Sequence, residues 1–261
     1  HKDVAGTGQE AAAKGDPRIT ARRSAVATLI ASKKKDLFSM PDLEALSDQV
    51  KNDVITLASS GTGGMEACVS NLFSVGEKAL VVEGGKFGER WTEICKAYGV
   101  IPDVLSVVPG HSVNISDLEA RLMEGKHNAV LIQASETSTG SKHDIQAVSK
   151  AIKKVSPDTL LVVDAITALG VYEVQPENWE LDAVVTGSQK ALMLPPGLAF
   201  VWLSDNAWKR TEQSNCPSYY FDLQIERKSQ KKNTTAWTPA ISLMMGLKTA
   251  LSMMQEEGLE N

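Results

Sequence analysis

"TLLVVDAITALG", residues 159–170, contains the most apolar strand pattern of the chain, with an aspartate at its end. A short run of apolar and β-branched residues predicts a strand that is buried on both faces of a sheet. Asp164 ends this strand, where a carboxylate needs a cationic partner or several hydrogen-bond donors. The structural interpretation is an aspartate that caps a following helix. The functional interpretation is a carboxylate that holds a cationic ligand nitrogen, such as a protonated pyridine.

Similar strand patterns recur along the chain and alternate with segments of helical spacing. The other predicted strands are residues 53–58, 78–85, 128–135, 181–188 and 198–204, and the clearest predicted helices are 65–75, 88–99 and 144–156. Apolar strands separated by helices predict an α/β fold with a mostly parallel central sheet and helices on both faces. Ligands of such sheets bind at the carboxyl ends of the strands.

The loop "SSGTGG", residues 59–64, places three glycines and three hydroxyl groups before a predicted helix. Glycines let a backbone approach an anion closely, and the first turn of a helix supplies unpaired N–H groups and a favourable dipole. The loop therefore predicts a phosphate site, with a flexible turn and an ordinary helix cap as the alternative. It is not a Walker A loop, because no Gly-Lys-Ser/Thr follows.

Lys190 lies in "TGSQKAL", residues 186–192, between two segments that both look buried. An amine that is partly desolvated at a strand end can have a depressed pKa and attack carbonyl groups. A surface loop lysine is the alternative, but it fits the apolar flanking segments poorly. A glycine-rich anion loop, a buried aspartate and a loop lysine, in this order, indicate pyridoxal 5′-phosphate as the cofactor.

Composition narrows the remaining classes of function. The chain has 261 residues and a net charge of −5, which gives no electrostatic reason to expect nucleic acid or an acidic membrane as a partner. No apolar run approaches the roughly 20 residues of a membrane span. Cys68, Cys95 and Cys216 form no CxxC motif, so we expect reduced thiols, a cytoplasmic protein and no metal site.

The two ends of the chain carry less information. Residues 1–50 form an atypical N-terminal segment of helical pattern without a chemical motif, and residues 51–230 form the predicted cofactor-binding domain. Residues 231–261 contain a helix, predicted from Ala236 onward, that leaves this domain. Since the sequence begins with His and stops within a helical pattern, we expect a piece of a longer protein.

Several motifs together resemble one family. They are "SSGTGGMEA" (59–67), "GGKFGERW" (84–91), "SETSTG" (135–140), "VVDAITALG" (162–170), "TGSQKALMLPPG" (186–197) and "TPAISL" (238–243). From about Asn52 onward the chain resembles the class V, fold type I, pyridoxal-phosphate-dependent aminotransferases, in the alanine–glyoxylate and serine–pyruvate branch. The resemblance implies the large domain of that fold, with the small C-terminal domain absent or truncated.

The resemblance also implies roles for individual residues. Lys190 matches the lysine that forms the Schiff base and Asp164 the carboxylate that binds the pyridine nitrogen. Ile166 and Phe87 match side chains on the two faces of the ring, and Thr137 a hydroxyl that hydrogen-bonds near it. The matches to phosphate contacts are Thr62, Gly63, Gly64 and Gln189, with Thr235 or Thr238 from a neighbouring subunit of a homodimer.

The implied reaction moves an amino group from a small amino acid, alanine or serine, to a 2-oxo acid, glyoxylate or pyruvate. Lys190 would act as general acid and base. One alternative is a cysteine desulfurase-like lyase, which commonly has a histidine before the lysine, where this chain has Gln189, and a mobile catalytic cysteine. Another is a truncated, non-catalytic relative that binds only the cofactor or partners.

Overall fold

A seven-stranded sheet lies at the centre of the protein, whose computed structural model describes residues 54–257. The helical prediction for residues 1–50 lies outside these residues. The strands are β1 Val54–Leu57, β2 Lys78–Glu83, β3 Ile101–Ser106, β4 Ala129–Gln133, β5 Ser135–Glu136, β6 Ser141–Lys142, β7 Leu160–Asp164, β8 Ala183–Gly187 and β9 Ala199–Leu203. The sheet order is β1-β9-β8-β7-β4-β2-β3, and β5 and β6 form a separate two-stranded hairpin.

Most neighbouring strands are parallel, as the sequence predicts. The pairs β2–β3, β2–β4, β4–β7 and β7–β8 are parallel, whereas β9 is antiparallel to both β8 and β1. The reversal has a simple cause: parallel neighbours need a crossover connection, and the loop between β8 and β9 contains no helix. Since β1 and β8 are each antiparallel to β9, β1 runs in the same direction as the parallel strands.

Helices cover both faces of the sheet. They are α1 Gly61–Leu72, α2 Lys86–Ala97, α3 Ile115–Glu124, α4 Ile145–Val155, α5 Asp205–Thr211, α6 Leu223–Gln230 and α7 Ile241–Glu257. Consecutive residues of β7 show the division, because Val162 packs into a core with Trp91 of α2 while Leu161 packs into a second core with Ile152 of α4. None of the helices within residues 54–257 has the length and the apolar composition of a membrane span.

The glycine-rich segment is part of a helix rather than a loop before it. Helix α1 begins at Gly61, so three glycines lie in its first turn, and the amides of Gly63 and Gly64 donate to the carbonyl oxygen of Ser60 at 2.9 and 3.3 Å. A Cβ atom on Gly64 would stand 2.6 Å from Cγ1 of Val185. The glycine is therefore required for the close contact of α1 with β8.

Other boundaries also differ from the sequence prediction. Helix α7 begins at Ile241 rather than near Ala236, because Pro239 disfavours helical geometry at the residue before it. Two elements were not predicted from the sequence: β3, an edge strand in which Pro102 interrupts the apolar pattern, and helix α3.

Candidate active site

The predicted site residues follow the carboxyl ends of five strands. Since β1, β2, β4, β7 and β8 point the same way, the connections that follow them share one edge of the sheet. Each of these connections holds predicted residues: Thr62, Gly63 and Gly64 after β1, Phe87 after β2, Thr137 after β4, Asp164 and Ile166 at the end of β7, and Gln189 and Lys190 after β8.

The N-terminus of α1 is open to an anion. Ser60 is the N-cap residue, yet its side chain makes no capping hydrogen bond, and the first turn holds no acidic residue. Within residues 54–257 the amides of Gly61 and Thr62 find no acceptor in the protein. Helices α3, α4, α5 and α6, by contrast, are each capped by their N-cap side chain. Free amides and the helix dipole make the start of α1 suitable for a phosphate.

Close packing positions this open helix terminus against the neighbouring connections. A Cβ atom on Gly61 would lie 2.3 Å from Cδ1 of Ile166, and one on Gly63 would lie 1.9 Å from Oγ of Ser59. Side chains at either position would therefore collide with their surroundings. The glycines bring the start of α1 against Ile166, the residue expected on one face of the cofactor ring.

Asp164 is a buried carboxylate with few partners. Its side chain accepts a hydrogen bond from the Ile166 amide at 2.8 Å, and within the described residues it forms no salt bridge. No helix follows directly, so the helix-cap interpretation is wrong. Burial raises the pKa of Asp164 to about 6, although the Ile166 amide and the charges of Arg90 and Lys190 act in the opposite direction. A cationic ligand nitrogen would stabilise the ionised form.

Lys190 lies in a loop that the buried residue Ser188 holds together. The Ser188 hydroxyl donates to the carbonyl oxygen of Pro195 at 2.8 Å, and the Ser188 carbonyl accepts from the Leu194 amide at 3.1 Å. Lys190 itself is exposed, which corrects the prediction that its amine is partly desolvated. The reason is local: a turn closed by the Met193 amide and the Lys190 carbonyl places this lysine outside the buried flanking segments. Its charge nevertheless acts on Asp164.

Gln189 carries a polar atom that the protein leaves unsatisfied. Its half-buried side chain has a buried amide oxygen without a hydrogen-bond partner among the described residues. Because the oxygen and nitrogen of an amide exchange places on a half-turn of the group, the same side chain can direct an NH₂ group at an anion. Such an orphaned group beside Lys190 is consistent with a polar ligand.

Glu136 is a site residue to which the sequence analysis gave no role. It is fully buried, and Oε2 of its carboxylate accepts from the amides of Phe87 and Gly88, both at 3.0 Å. Oε1 accepts from the amide and the hydroxyl of Ser138. Glu136 thus caps α2 from another strand and fixes the backbone of Phe87. No sequence pattern indicates this, because the two segments are far apart in the chain.

Arg90 is a second residue that the sequence analysis missed. Its Nη1 donates to Oγ1 of Thr62 at 3.1 Å, and its guanidinium carbon lies 4.9 Å from the centre of the Phe87 ring. The sequence contains one indication of its position: Arg90 is three residues after Phe87 in helix α2, and residues at this spacing share a face. Arg90 brings a positive charge to the start of α1.

Three further threonines were predicted to contact the cofactor: Thr137, Thr235 and Thr238. Thr137 is exposed at the turn of the β5–β6 hairpin, and Thr238 is exposed between α6 and α7. The hydroxyl of Thr235 donates to the carbonyl oxygen of Trp237 at 2.6 Å. In residues 54–257 no hydrogen bond joins Thr235 or Thr238 to the other predicted site residues, so their assignment stays a prediction about a neighbouring subunit.

Comparisons with known proteins agree with this arrangement. The family model for aminotransferase class-V matches residues 45–261. The soluble hydrogenase small subunit of Synechococcus sp. is 44% identical over 215 residues, which cover 81% of this chain and 56% of that protein. L-aspartate–glyoxylate aminotransferase of Paracoccus denitrificans is 34% identical over 227 residues, 85% of this chain and 57% of that protein.

A solved structure shows the same relationship. The aspartate aminotransferase of subgroup IV from Thermus thermophilus superposes with a TM-score of 0.76 and 35% sequence identity, and the match covers 97% of this chain and 68% of that one. The chain thus spans little more than half the length of the two curated relatives and about two thirds of the solved structure.

Proposed function

The chain belongs to the class V aminotransferase family, and from this premise we propose that its residues 51–230 form the pyridoxal 5′-phosphate-binding domain of an aminotransferase. One observation supports the proposal most strongly. An uncapped helix N-terminus, the buried carboxylate of Asp164 and the amine of Lys190 occupy adjacent connections at one edge of the sheet.

These residues fit the cofactor group by group. The free amides of Gly61 and Thr62, with the side chains of Thr62 and Gln189, would hold the phosphate. This corrects the predicted contacts of Gly63 and Gly64, because their amides already donate to the carbonyl oxygen of Ser60. Asp164 would face the ring nitrogen and keep it protonated, because a cationic nitrogen beside this buried carboxylate favours its ionised form. Ile166 and Phe87 would pack on the two faces of the ring. The Thr137 hydroxyl would donate a hydrogen bond near it.

When bound, pyridoxal phosphate supplies an aldehyde that captures amines and a ring that accepts electrons from the substrate α carbon. Lys190 would hold the cofactor through its Nζ and release it to the incoming amino acid. The free amine would then remove the proton from the substrate Cα and return it to C4′ of the cofactor. Exposure of Lys190 leaves this side chain the space to move between the two atoms.

For substrates, we propose alanine or serine as amino donor and glyoxylate or pyruvate as acceptor. The resemblance to the alanine–glyoxylate branch supports this choice, and the names of two relatives add aspartate as a donor to be tested. We do not propose a hydrogenase activity from the name of the Synechococcus relative, because the residues that meet at this edge of the sheet are suited to amine chemistry. We further propose a cytoplasmic homodimer in which Thr235 or Thr238 reaches the partner's phosphate site.

The desulfurase alternative has less support from the structure. That reaction needs a reactive, mobile cysteine, whereas Cys68, Cys95 and Cys216 are all buried. Burial raises the pKa of Cys95 to about 12, and it raises the pKa of the other two thiols as well. These thiols would be poor nucleophiles at neutral pH. The non-catalytic alternative needs only cofactor binding, so turnover of an amino acid separates it from the aminotransferase proposal.

A donor screen tests the proposal. Purified full-length protein loaded with cofactor is mixed with alanine, serine or aspartate, and the cofactor absorbance is followed while the 2-oxo acid product is measured. We expect at least one donor to change the spectrum and to release its oxo acid in equal amount. Lys190→Ala serves as the control that should release none. A loaded wild-type protein that converts no amino acid would contradict the proposal.

A further inference from the structure

We propose that Arg90 is a further cofactor-binding residue, whose guanidinium pairs with the phosphate group held at the start of α1. The inference rests on the proposed function and adds a residue to its site. Neither the sequence motifs nor the resemblance assigned a role to Arg90.

The phosphate cradle described above lacks a positive side chain. The residues that would form it, Gly61, Thr62 and Gln189, are all uncharged. A phosphate monoester carries a charge of about −1.5 to −2 at neutral pH, whereas a helix N-terminus contributes only about half a positive charge. A partly buried phosphate at this place is therefore short of positive charge.

Arg90 is placed to supply that charge. Its bond to Thr62 Oγ1, 3.1 Å long, anchors the guanidinium at the first turn of α1. A guanidinium has five N–H donors, and this bond uses one of them. Within residues 54–257 Arg90 forms no salt bridge with a carboxylate, and its side chain is half-buried. The remaining donors are available to a ligand, and a planar guanidinium suits two-point binding of a phosphate.

The neighbouring lysines are less suitable than Arg90 as partners for the phosphate. Lys86, in the same turn of α2, is exposed and pairs with Glu89. Lys190 is assigned to the aldehyde of the cofactor. Asp164 is the acid whose pKa responds to the Arg90 charge, but no ion pair joins the two residues. Within the described residues, the hydrogen bond of Arg90 is to Thr62, at the proposed phosphate end of the site.

A comparison of two ligands tests the inference. Pyridoxal phosphate and pyridoxal, which lacks the phosphate, are titrated into wild-type protein, Arg90→Gln and Arg90→Lys, and dissociation constants are measured by absorbance. We expect Arg90→Gln to weaken binding of pyridoxal phosphate roughly tenfold to a hundredfold and to change pyridoxal binding less than about twofold. Arg90→Lys keeps the positive charge but loses the planar guanidinium group. Its affinity for pyridoxal phosphate should lie between those of wild type and Arg90→Gln. Lys86→Gln is the matched control and should bind both ligands as wild type does.

Two results would overturn the inference. Equal losses for both ligands would show that Arg90 acts on the ring through Phe87, and unchanged binding of pyridoxal phosphate would show that it has no role. Thermal unfolding of each variant separates these results from misfolding, and Arg90→Lys provides a second variant if Arg90→Gln is unstable. If wild-type protein bound neither compound, the proposed function itself would fail, and this inference with it.

Discussion

At the scale of single residues, Asp164 is a buried carboxylate whose pKa is raised above its ordinary value. The carboxylate is buried at the end of β7 with one backbone donor, and its pKa is raised from 3.8 to about 6. The folded protein therefore binds a proton between these pH values that the unfolded chain does not bind. The stabilisation from this proton is complete below about pH 4 and is lost as the pH rises through about 6.

Asp164→Asn removes this titration and should reveal it in the cofactor-free protein. A shift of about two pKa units corresponds to roughly 3 kcal/mol. We expect the unfolding free energy of the variant, relative to wild type, to rise by about 2 to 3 kcal/mol between pH 4 and pH 7, measured by urea unfolding. Asp158→Asn, at an exposed position, is the control. A difference for Asp164→Asn that does not change with pH would show that the carboxylate titrates normally.

The residue scale also shows how far a sequence can predict a site. Asp164 and Lys190 could be identified because each interrupts an apolar pattern, although the structure places the lysine in solvent rather than partly buried. Glu136 could not, because its role comes from contacts with Phe87 and Gly88 across the fold. For Arg90, the sequence offers its helical spacing from Phe87 but gives no sign of the contact with Thr62. Glu136, between the polar residues Ser135 and Thr137, carries no local sign of its contacts.

At the scale of elements, two helix N-termini at the site differ in their capping. Helix α2 receives the buried carboxylate of Glu136, whereas the first amides of α1 find no acceptor among the described residues. A capped terminus rejects anions and an open one attracts them. The difference explains why the phosphate is expected at α1, although both helices begin at the same edge of the sheet.

Glu136→Gln tests the role of the cap. The glutamine side chain would direct its NH₂ group either at the amides of Phe87 and Gly88 or at the amide of Ser138. At least one of these donors would therefore remain unpaired. We expect the unfolding free energy to fall by roughly 2 to 3 kcal/mol and cofactor affinity to fall as well, because Phe87 loses its support. Denaturant unfolding and cofactor titration measure the two effects.

Asn114→Ala is the matched control for Glu136→Gln. Asn114 caps α3 with bonds to the amides of Ser116 and Asp117. Its loss should lower stability by about 1 kcal/mol and leave cofactor affinity unchanged. If Glu136→Gln weakened stability without affecting cofactor binding, the cap would be structural only and Phe87 would not depend on it.

The order of the elements was more predictable than their exact limits. The strands with continuous apolar runs, β2, β4, β7, β8 and β9, were identified from sequence because burial on both faces demands that pattern. The antiparallel direction of β9 was not predicted. It depends on the connection from β8 to β9, which contains no helix and so does not form a parallel crossover. Helix α1 started earlier than predicted because its glycines pack against Val185 and Ile166, which local propensity does not report.

At the scale of the whole molecule, helix α7 exposes an apolar surface. Leu247 is its one buried residue, while Ile241, Met245 and Met253 are each more than half exposed. Exposed apolar surface of this kind is commonly covered by a partner, and a two-fold dimer is the commonest solution. It supports the proposed homodimer.

Sedimentation of full-length protein tests the dimer. We expect a dimer for wild type and a shift toward monomer for Met245→Glu, because the new charge would be buried in the interface. Met123→Glu is the control, since Met123 is also exposed but lies on α3. Wild-type protein that sediments as a monomer, or two variants that behave alike, would contradict the assignment of α7 to the interface.

Borohydride reduction followed by peptide mapping shows whether Lys190 carries the cofactor. Purified protein loaded with pyridoxal phosphate is reduced, digested and analysed by mass spectrometry, with Lys190→Ala treated in parallel. We expect the phosphopyridoxyl group on the peptide that contains Lys190, and no comparable label in the variant. A label on another lysine, such as Lys86 or Lys142, with Lys190 unmodified, would contradict the account.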